Sequence, residues 1–131
     1  MIGLDTNIVV RYLTQDDPGQ TKKANALIAD AVAKSEKLHL DVVVVCELVW
    51  VLRDAYAFDK KTVVGALEKI LSAAQFSIQN RDAVAEALTA YRFGGGDFAD
   101  YVIGVLNQTA HCVVTMTFDR ALKSTPLFSL L

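Results

Sequence analysis

Asp5, Glu47, Asp97, Asp100 and Asp119 are the residues of this 131-residue chain whose settings suggest chemistry. Asp5 ends the apolar run MIGL and is followed at once by the turn-forming pair Thr6–Asn7. Glu47 is the only charged side chain between Val42 and Leu52. A carboxylate in such a run is expected to be desolvated, which is costly unless it meets an Arg, a Lys or a metal. Asp97 and Asp100, in GGGDFAD, stand three apart at a predicted helix start and share one helical face. Like charges there repel unless a cation lies between them, and the helix dipole offsets only ~0.3–1 kcal/mol for each. Asp119 lies just beyond a predicted strand.

Acids from four separate segments, with no base or nucleophile among them, point to a hard divalent cation held by oxygen, Mg²⁺ or Mn²⁺. Such an ion generates hydroxide near neutral pH and stabilises charge on a phosphoryl group under attack. Each acid also has a plainer use. Asp5, Asp97 and Asp119 could cap helices or turns, and Glu47 could pair with Arg11 or Arg53. Their joint placement favours the cation. His39 and His111 are isolated and read as strand-end residues. No nucleophile elbow is present, and Gly94–Gly96 lacks the P-loop pattern. The triple glycine reads as a flexible loop that lets Asp97 approach a metal. Trp50 and Tyr56 read as core or interface residues.

The elements that must position these acids follow from periodicity. Met1–Leu4 predicts a short buried strand, and Ile8 to Leu13 a helix. TQDDPG is a turn whose Pro opens a helix from about Gln20 to Ala33. A strand at Leu38–Asp41 leads to a helix from about Val43 to Tyr56. Val63, Val64, Leu67, Ile70 and Leu71 mark an amphipathic helix. Phe76–Ile78 predicts a strand, and Asp82 the cap of a helix to about Tyr91. A helix follows the glycines, then a strand at Cys112–Met116, a helical turn at Ala121–Leu122 and a short edge strand in LFSLL. Alternating strands and helices imply an α/β fold: a three-layer α/β/α sandwich, one domain over 1–131, with a central, mostly parallel sheet of about four to five strands. In such sheets the site lies beyond the carboxyl ends of the strands, where Asp5 and Asp119 are expected to project.

Composition sets the bounds. Hydrophobic residues make up 53% of the chain, above the usual ~45–50%, so an apolar surface patch is expected, with a homo-oligomer or a buried partner face to cover it. The net charge of −2 leaves nucleic-acid binding to local cations or metal. Cys46 and Cys112 fit no CxxC spacing and read as buried, reduced thiols of a cytoplasmic protein, with a single disulfide as the alternative. The start lacks a basic n-region, and the longest apolar run, Val42 to Leu52, is too short to span a membrane.

Together, MIGLDTNIVVRYLTQDDP, Glu47, GGGDFADYVIG and VTMTFDRAL resemble the PIN-domain family, most closely its VapC branch, the ribonuclease toxins of bacterial toxin–antitoxin pairs. The resemblance covers essentially the whole chain. It implies a metal-dependent endoribonuclease whose acidic quartet is Asp5, Glu47, Asp100 and Asp119, with Asp97 as an extra acid. It also implies that Thr6 and Asn7 orient the first acid and that Thr117 is the hydroxyl preceding the last. A homodimer and a cognate antitoxin are implied as well. Arg11, Arg53, Arg92 and Arg120 lie near the acidic segments and are expected to contact RNA phosphates. Two other readings compete. One is a non-catalytic PIN scaffold that binds RNA or a protein. The other is a receiver-like phosphoacceptor domain, for which Asp16–Asp17 lies too late, beyond the first helix, and Lys123 follows Asp119 rather than a strand-end Thr.

Overall fold

The structure, a computed structural model, describes residues 1–131. The chain divides into two compact units, 1–79 and 80–131. In the first, strand β1 (Ile2–Gly3) precedes helices α1 (Thr6–Thr14) and α2 (Pro18–Ala33). Strand β2 (Leu38–Leu40), helix α3 (Val42–Trp50), a π-helical turn (Val51–Ala55), helix α4 (Lys60–Ser72) and strand β3 (Phe76–Ile78) complete it. The strands pair in parallel in the order β1–β2–β3, with Ile2 opposite Leu38 and Leu38 opposite Phe76. Side chains alternate across a strand, so Leu38, Leu40, Phe76 and Ile78 are buried while His39 and Ser77 between them are only half-buried. The β1 strand departs from expectation: Ile2 and Gly3 are exposed and only Leu4 is buried. His39 lies in the middle of β2, not at a strand end.

The helices bury the stripes their sequences encode. α2 turns Thr21, Ala24, Ile28 and Ala31 inward, and α4 turns Val63, Val64, Leu67 and Ile70. Helix α3 is the continuation of the valine run. Its extra residues beyond β2 exceed a short strand, and Asp41 caps it by accepting from the Val44 N–H at 2.8 Å.

The second unit holds helix α5 (Arg81–Phe93), helix α6 (Phe98–Thr109), strand β4 (Thr115–Thr117), a 3₁₀ turn (Arg120–Leu122) and strand β5 (Phe128–Leu130). β4 and β5 pair in parallel. α5 meets α6 through an edge-to-face contact of Tyr91 with Phe98, ring centres 5.9 Å apart. α6 lies against β5 at Gly104, where a Cβ would come within 2.9 Å of the Phe128 ring.

Parallel pairing and the α/β class agree with the sequence reading. The single central sheet does not: the five strands form one sheet of three and one of two. β1 spans two residues and each other strand three, so each pair has only a short ladder. Two boundaries also differ. Asn80, in a left-handed conformation, precedes α5, leaving Asp82 in its first turn. The fourth strand begins at Thr115 rather than Cys112, after a turn in which His111 has φ 69°. Asp residues hold the N-cap position of every helix except α5 and the π turn: Asp5, Asp17, Asp41, Asp59, Asp97 and Asp119. Large apolar side chains at the surface include Trp50, 65% exposed, Phe93 and Phe118, each 80% exposed, and the fully exposed Val113.

Candidate active site

Asp5 reaches its place because the Leu4 N–H extends the ladder to the carbonyl of His39, at 2.9 Å. The next residue leaves the strand for α1. Asp5 is exposed, and its Oδ1 accepts from the Thr6 N–H at 2.7 Å. Thr6 is 4% exposed. Its hydroxyl donates to Oε2 of Glu47 at 2.8 Å, linking the start of α1 to the middle of α3. Asn7 is exposed in the first turn of α1.

Glu47 is exposed, contrary to the expectation of a desolvated carboxylate. Val44, Val45, Leu48 and Val49 turn inward, while Val43, Glu47 and Trp50, spaced four and three apart, form the outer stripe of α3. Adjacency in sequence suggested burial where helical period dictates exposure. Neither Arg11 nor Arg53 pairs with it. Asp41, also exposed, follows β2 as Asp5 follows β1. Sequence reasoning placed it in the strand; the repeated Leu–Asp pair at Leu4–Asp5 and Leu40–Asp41 is the signal that could have found it.

In the second unit, Asp97 is the N-cap of α6, and its own N–H is taken by Oδ2 of Asp100 at 3.1 Å. The Asp100 carboxyl is half-buried and its pKa is raised above the ordinary value, first by desolvation and further by the charges of Asp97 and Asp119; the Asp97 N–H pulls the other way. Asp119 caps the 3₁₀ turn, its Oδ1 accepting from the Ala121 N–H at 2.9 Å. The Thr117 hydroxyl accepts from the Asp119 N–H at 3.0 Å, so this residue orients the acid that follows it.

The plain capping uses of Asp5, Asp97 and Asp119 are therefore realised. They do not exhaust the carboxylates. Asp5, Glu47, Asp100 and Asp119 each bind a donor through one oxygen only, and none makes an ion pair. Each thus retains an oxygen ligand of the kind a hard divalent cation takes. Neither unit by itself gathers three His, Cys, Asp or Glu side chains closely enough to be a ready-made metal cage. The charges of Asp97 and Asp119, in the same unit, nevertheless reach Asp100 and help to raise its pKa. The donor chemistry fits a divalent cation without a preformed cage.

The family model described as PIN domain matches residues 2–126. The chain belongs to the PIN-domain family. It is also similar to a VapC ribonuclease of Aquifex aeolicus (strain VF5), 23% identical over 120 residues that cover 92% of this chain and 88% of that protein.

Other residues of this PIN domain have the following settings. Arg11 is engaged locally: its guanidinium binds Gln20 at 2.7 Å, Tyr56 at 2.9 Å and Asp16 at 3.3 Å. Arg53 donates to the Phe58 carbonyl, while Arg92 and Arg120 are exposed. Tyr56 is half-buried rather than core and joins the Arg11 network, donating to Asp16 at 2.7 Å. Both cysteines are free, yet Cys46 is half-buried and Cys112 exposed, so the pair of buried thiols is not found. No helix is long and apolar enough to cross a membrane.

Gly94–Gly96 of this PIN domain is not a flexible tether. No glycine has positive φ. A Cβ on Gly94 would fall 1.9 Å from the Tyr101 hydroxyl, and one on Gly96 2.3 Å from Cδ2 of Leu122. The outer two glycines are demanded by close packing.

Proposed function

We propose that this PIN domain is an Mg²⁺- or Mn²⁺-dependent endoribonuclease, the toxin of a toxin–antitoxin pair, acting as a single catalytic domain over 1–131. The observation that carries the reading is the set of four carboxylates, each anchored through one oxygen and holding the other back, in a chain that the PIN domain model matches nearly end to end. The similarity to a protein named VapC ribonuclease supports RNA as the substrate.

Asp5, Glu47, Asp100 and Asp119 would hold the cation, with Asp97 beside them. A bound divalent cation supplies a water acidic enough to deprotonate near neutral pH and neutralises charge on the phosphodiester. The chain's own residues supply placement. Thr6 fixes the Glu47 carboxylate, Thr117 fixes the backbone of Asp119, and Asn7 stands exposed in the first turn of the helix that Asp5 caps. Arg11, Arg92 and Arg120 contact RNA phosphates, with Arg11 also bound to Asp16. The chain works in the cytoplasm as a homodimer, restrained by a cognate antitoxin; exposed Trp50, Phe93 and Phe118 offer apolar surface for such partners.

The test is cleavage of single-stranded RNA with Mg²⁺ or Mn²⁺ and with excess chelator. Asp5→Asn and Glu47→Gln are expected to abolish cleavage while circular dichroism and melting stay native-like. Full activity in chelator, or in both variants, overturns the reading. A non-catalytic scaffold would instead show no cation bound at millimolar Mg²⁺.

A further inference from the structure

We propose that Tyr101 is a positioning residue for the acidic site: its buried hydroxyl, seated under Gly94–Gly96, sets where Asp97 and Asp100 stand and, through the Gly96–Leu122 contact, where Asp119 stands. The inference rests on the nuclease reading above.

Tyr101 is 1% exposed, in the first turn of α6, directly after Asp100. Its hydroxyl accepts from the Gly96 N–H at 3.0 Å, and both groups are buried. The next N–H along the chain, that of Asp97, goes to the Asp100 carboxylate at 3.1 Å. Two consecutive amides of the lead-in loop are thus held by two consecutive side chains of the helix it enters. A buried amide left without its acceptor loses its desolvation compensation, so the loop is not free to slide.

The glycines make the seat. A Cβ on Gly94 would lie 1.9 Å from the Tyr101 Oη and 2.7 Å from Cζ, so the hydroxyl fits only beneath a bare backbone. On its other side Gly96 meets Leu122, which is 2% exposed. Leu122 ends the 3₁₀ turn whose cap is Asp119. Gly95, between them, approaches the Ala121 carbonyl at ordinary contact distance, 3.7 Å for a Cβ. The loop before Asp97 and the turn after Asp119 therefore touch at two successive residues, and the Tyr101 hydroxyl fastens that joint from below.

A core role alone would not need the oxygen. The ring packs edge-to-face on Phe128, centres 6.5 Å apart, and phenylalanine would do this equally well. The hydroxyl is what reaches the loop. Because ligand spacing governs cation affinity and a ~1 Å misplacement costs ~10²-fold in rate, the effect should register at the acids rather than in the core.

The experiment compares the full chain with Tyr101→Phe. Three readouts are taken: hydrogen exchange at the Gly96 amide by NMR, Mn²⁺ affinity by titration followed by electron paramagnetic resonance, and RNA cleavage kinetics. Expected for Tyr101→Phe are faster exchange at Gly96, Mn²⁺ affinity lower by ~10-fold and kcat lower by ~10–100-fold, with KM for RNA little changed. Faster Gly96 exchange with wild-type Mn²⁺ affinity and kcat overturns the proposal, since the hydroxyl would then order the loop alone. Should Tyr101→Phe fail to fold, Leu122→Val thins the contact beneath Gly96 without touching the hydroxyl. It is expected to lower Mn²⁺ affinity several-fold, and unchanged affinity overturns the link to Asp119. A wild-type chain that neither binds Mn²⁺ nor cuts RNA overturns the nuclease reading and the role of Tyr101 with it; an active wild type with an unaffected Tyr101→Phe overturns that role alone.

Discussion

The hydroxyl of Thr6 lies 2.8 Å from Oε2 of Glu47, joining residues 41 positions apart. Thr6 is buried and Glu47 is exposed, so the bond is a fixed hand holding a solvated carboxylate. Thr6→Val keeps the shape and removes the donor. It is expected to cost ~1 kcal/mol of stability and ~10-fold or more in cleavage rate, while Thr6→Ser stays near wild type. Urea melts and RNA cleavage assays on the two variants measure this. A Val variant as active as the Ser variant would refute the positioning role.

Asp100 links stability to pH. Its carboxyl binds a proton more tightly folded than unfolded, because desolvation and the charges of Asp97 and Asp119 raise its pKa above 3.8. The stability this group contributes is full below 3.8 and is lost as pH rises through the folded-state value. At pH 7 the ionised side chain is therefore a burden on the fold. Asp100→Asn keeps an acceptor for the Asp97 N–H and removes the charge. It is expected to melt above wild type at pH 7, with the gap closing in acid. Equal melting temperatures at pH 7 would contradict the assigned repulsion. Magnesium should raise the wild-type melting temperature more than that of the variant.

The glycines separate by packing. Gly94→Ala and Gly96→Ala are each expected to destabilise by ~1–3 kcal/mol or more, since their methyl groups would overlap Tyr101 and Leu122. Gly95→Ala should be near neutral. Gly65, inside α4, has open space where an added methyl would stand, with nothing within 4 Å, so Gly65→Ala is expected to stabilise by ~0.5–1 kcal/mol. Denaturant midpoints for the four variants give the ranking; a Gly95→Ala penalty equal to that of Gly94→Ala would undo it.

The arginines divide by commitment. Arg11 sits in a network with Asp16, whose carboxyl is held below its ordinary pKa by hydrogen bonds from Thr14 and Tyr56 and by the nearby guanidinium. Arg11→Glu is expected to lower the melting temperature. Arg120→Glu should leave it unchanged, weaken RNA cleavage and flatten the dependence of binding on log salt by ~0.7 or more, the contribution of one lost single-strand phosphate contact. Unaltered cleavage and salt slope for Arg120→Glu would remove that residue from the RNA path.

Element types were readable because period and punctuation agree with the fold. Phe76–Ile78 is a strand as expected, and Asp17–Pro18 opens α2 by cap and ring together. The failures have separate causes. Asn80 won the start of α5 from Asp82 by adopting a left-handed backbone, which Asn tolerates and a propensity rule does not foresee. Glu47 was misjudged because linear neighbours stood in for spatial ones. The triple glycine was misjudged because glycine signals freedom in sequence, whereas only the positions of Tyr101 and Leu122 reveal it as a need for room. Asp5, Asp97 and Asp119 were legible as caps, whereas the Thr6–Glu47 bond, which spans 41 positions, was not.

Six helix or turn starts in this chain are Asp caps, three of them proposed members of the acidic site. Asn caps a helix about as well as Asp. One base change in an Asp codon can make that exchange, removing the negative charge while the fold keeps its cap. On the proposed nuclease reading, a lineage can thus silence the activity in a single mutational step without producing a misfolded protein, and natural isolates should carry well-folded, inactive alleles with Asn at Asp5 or Asp119 more often than alleles truncated there.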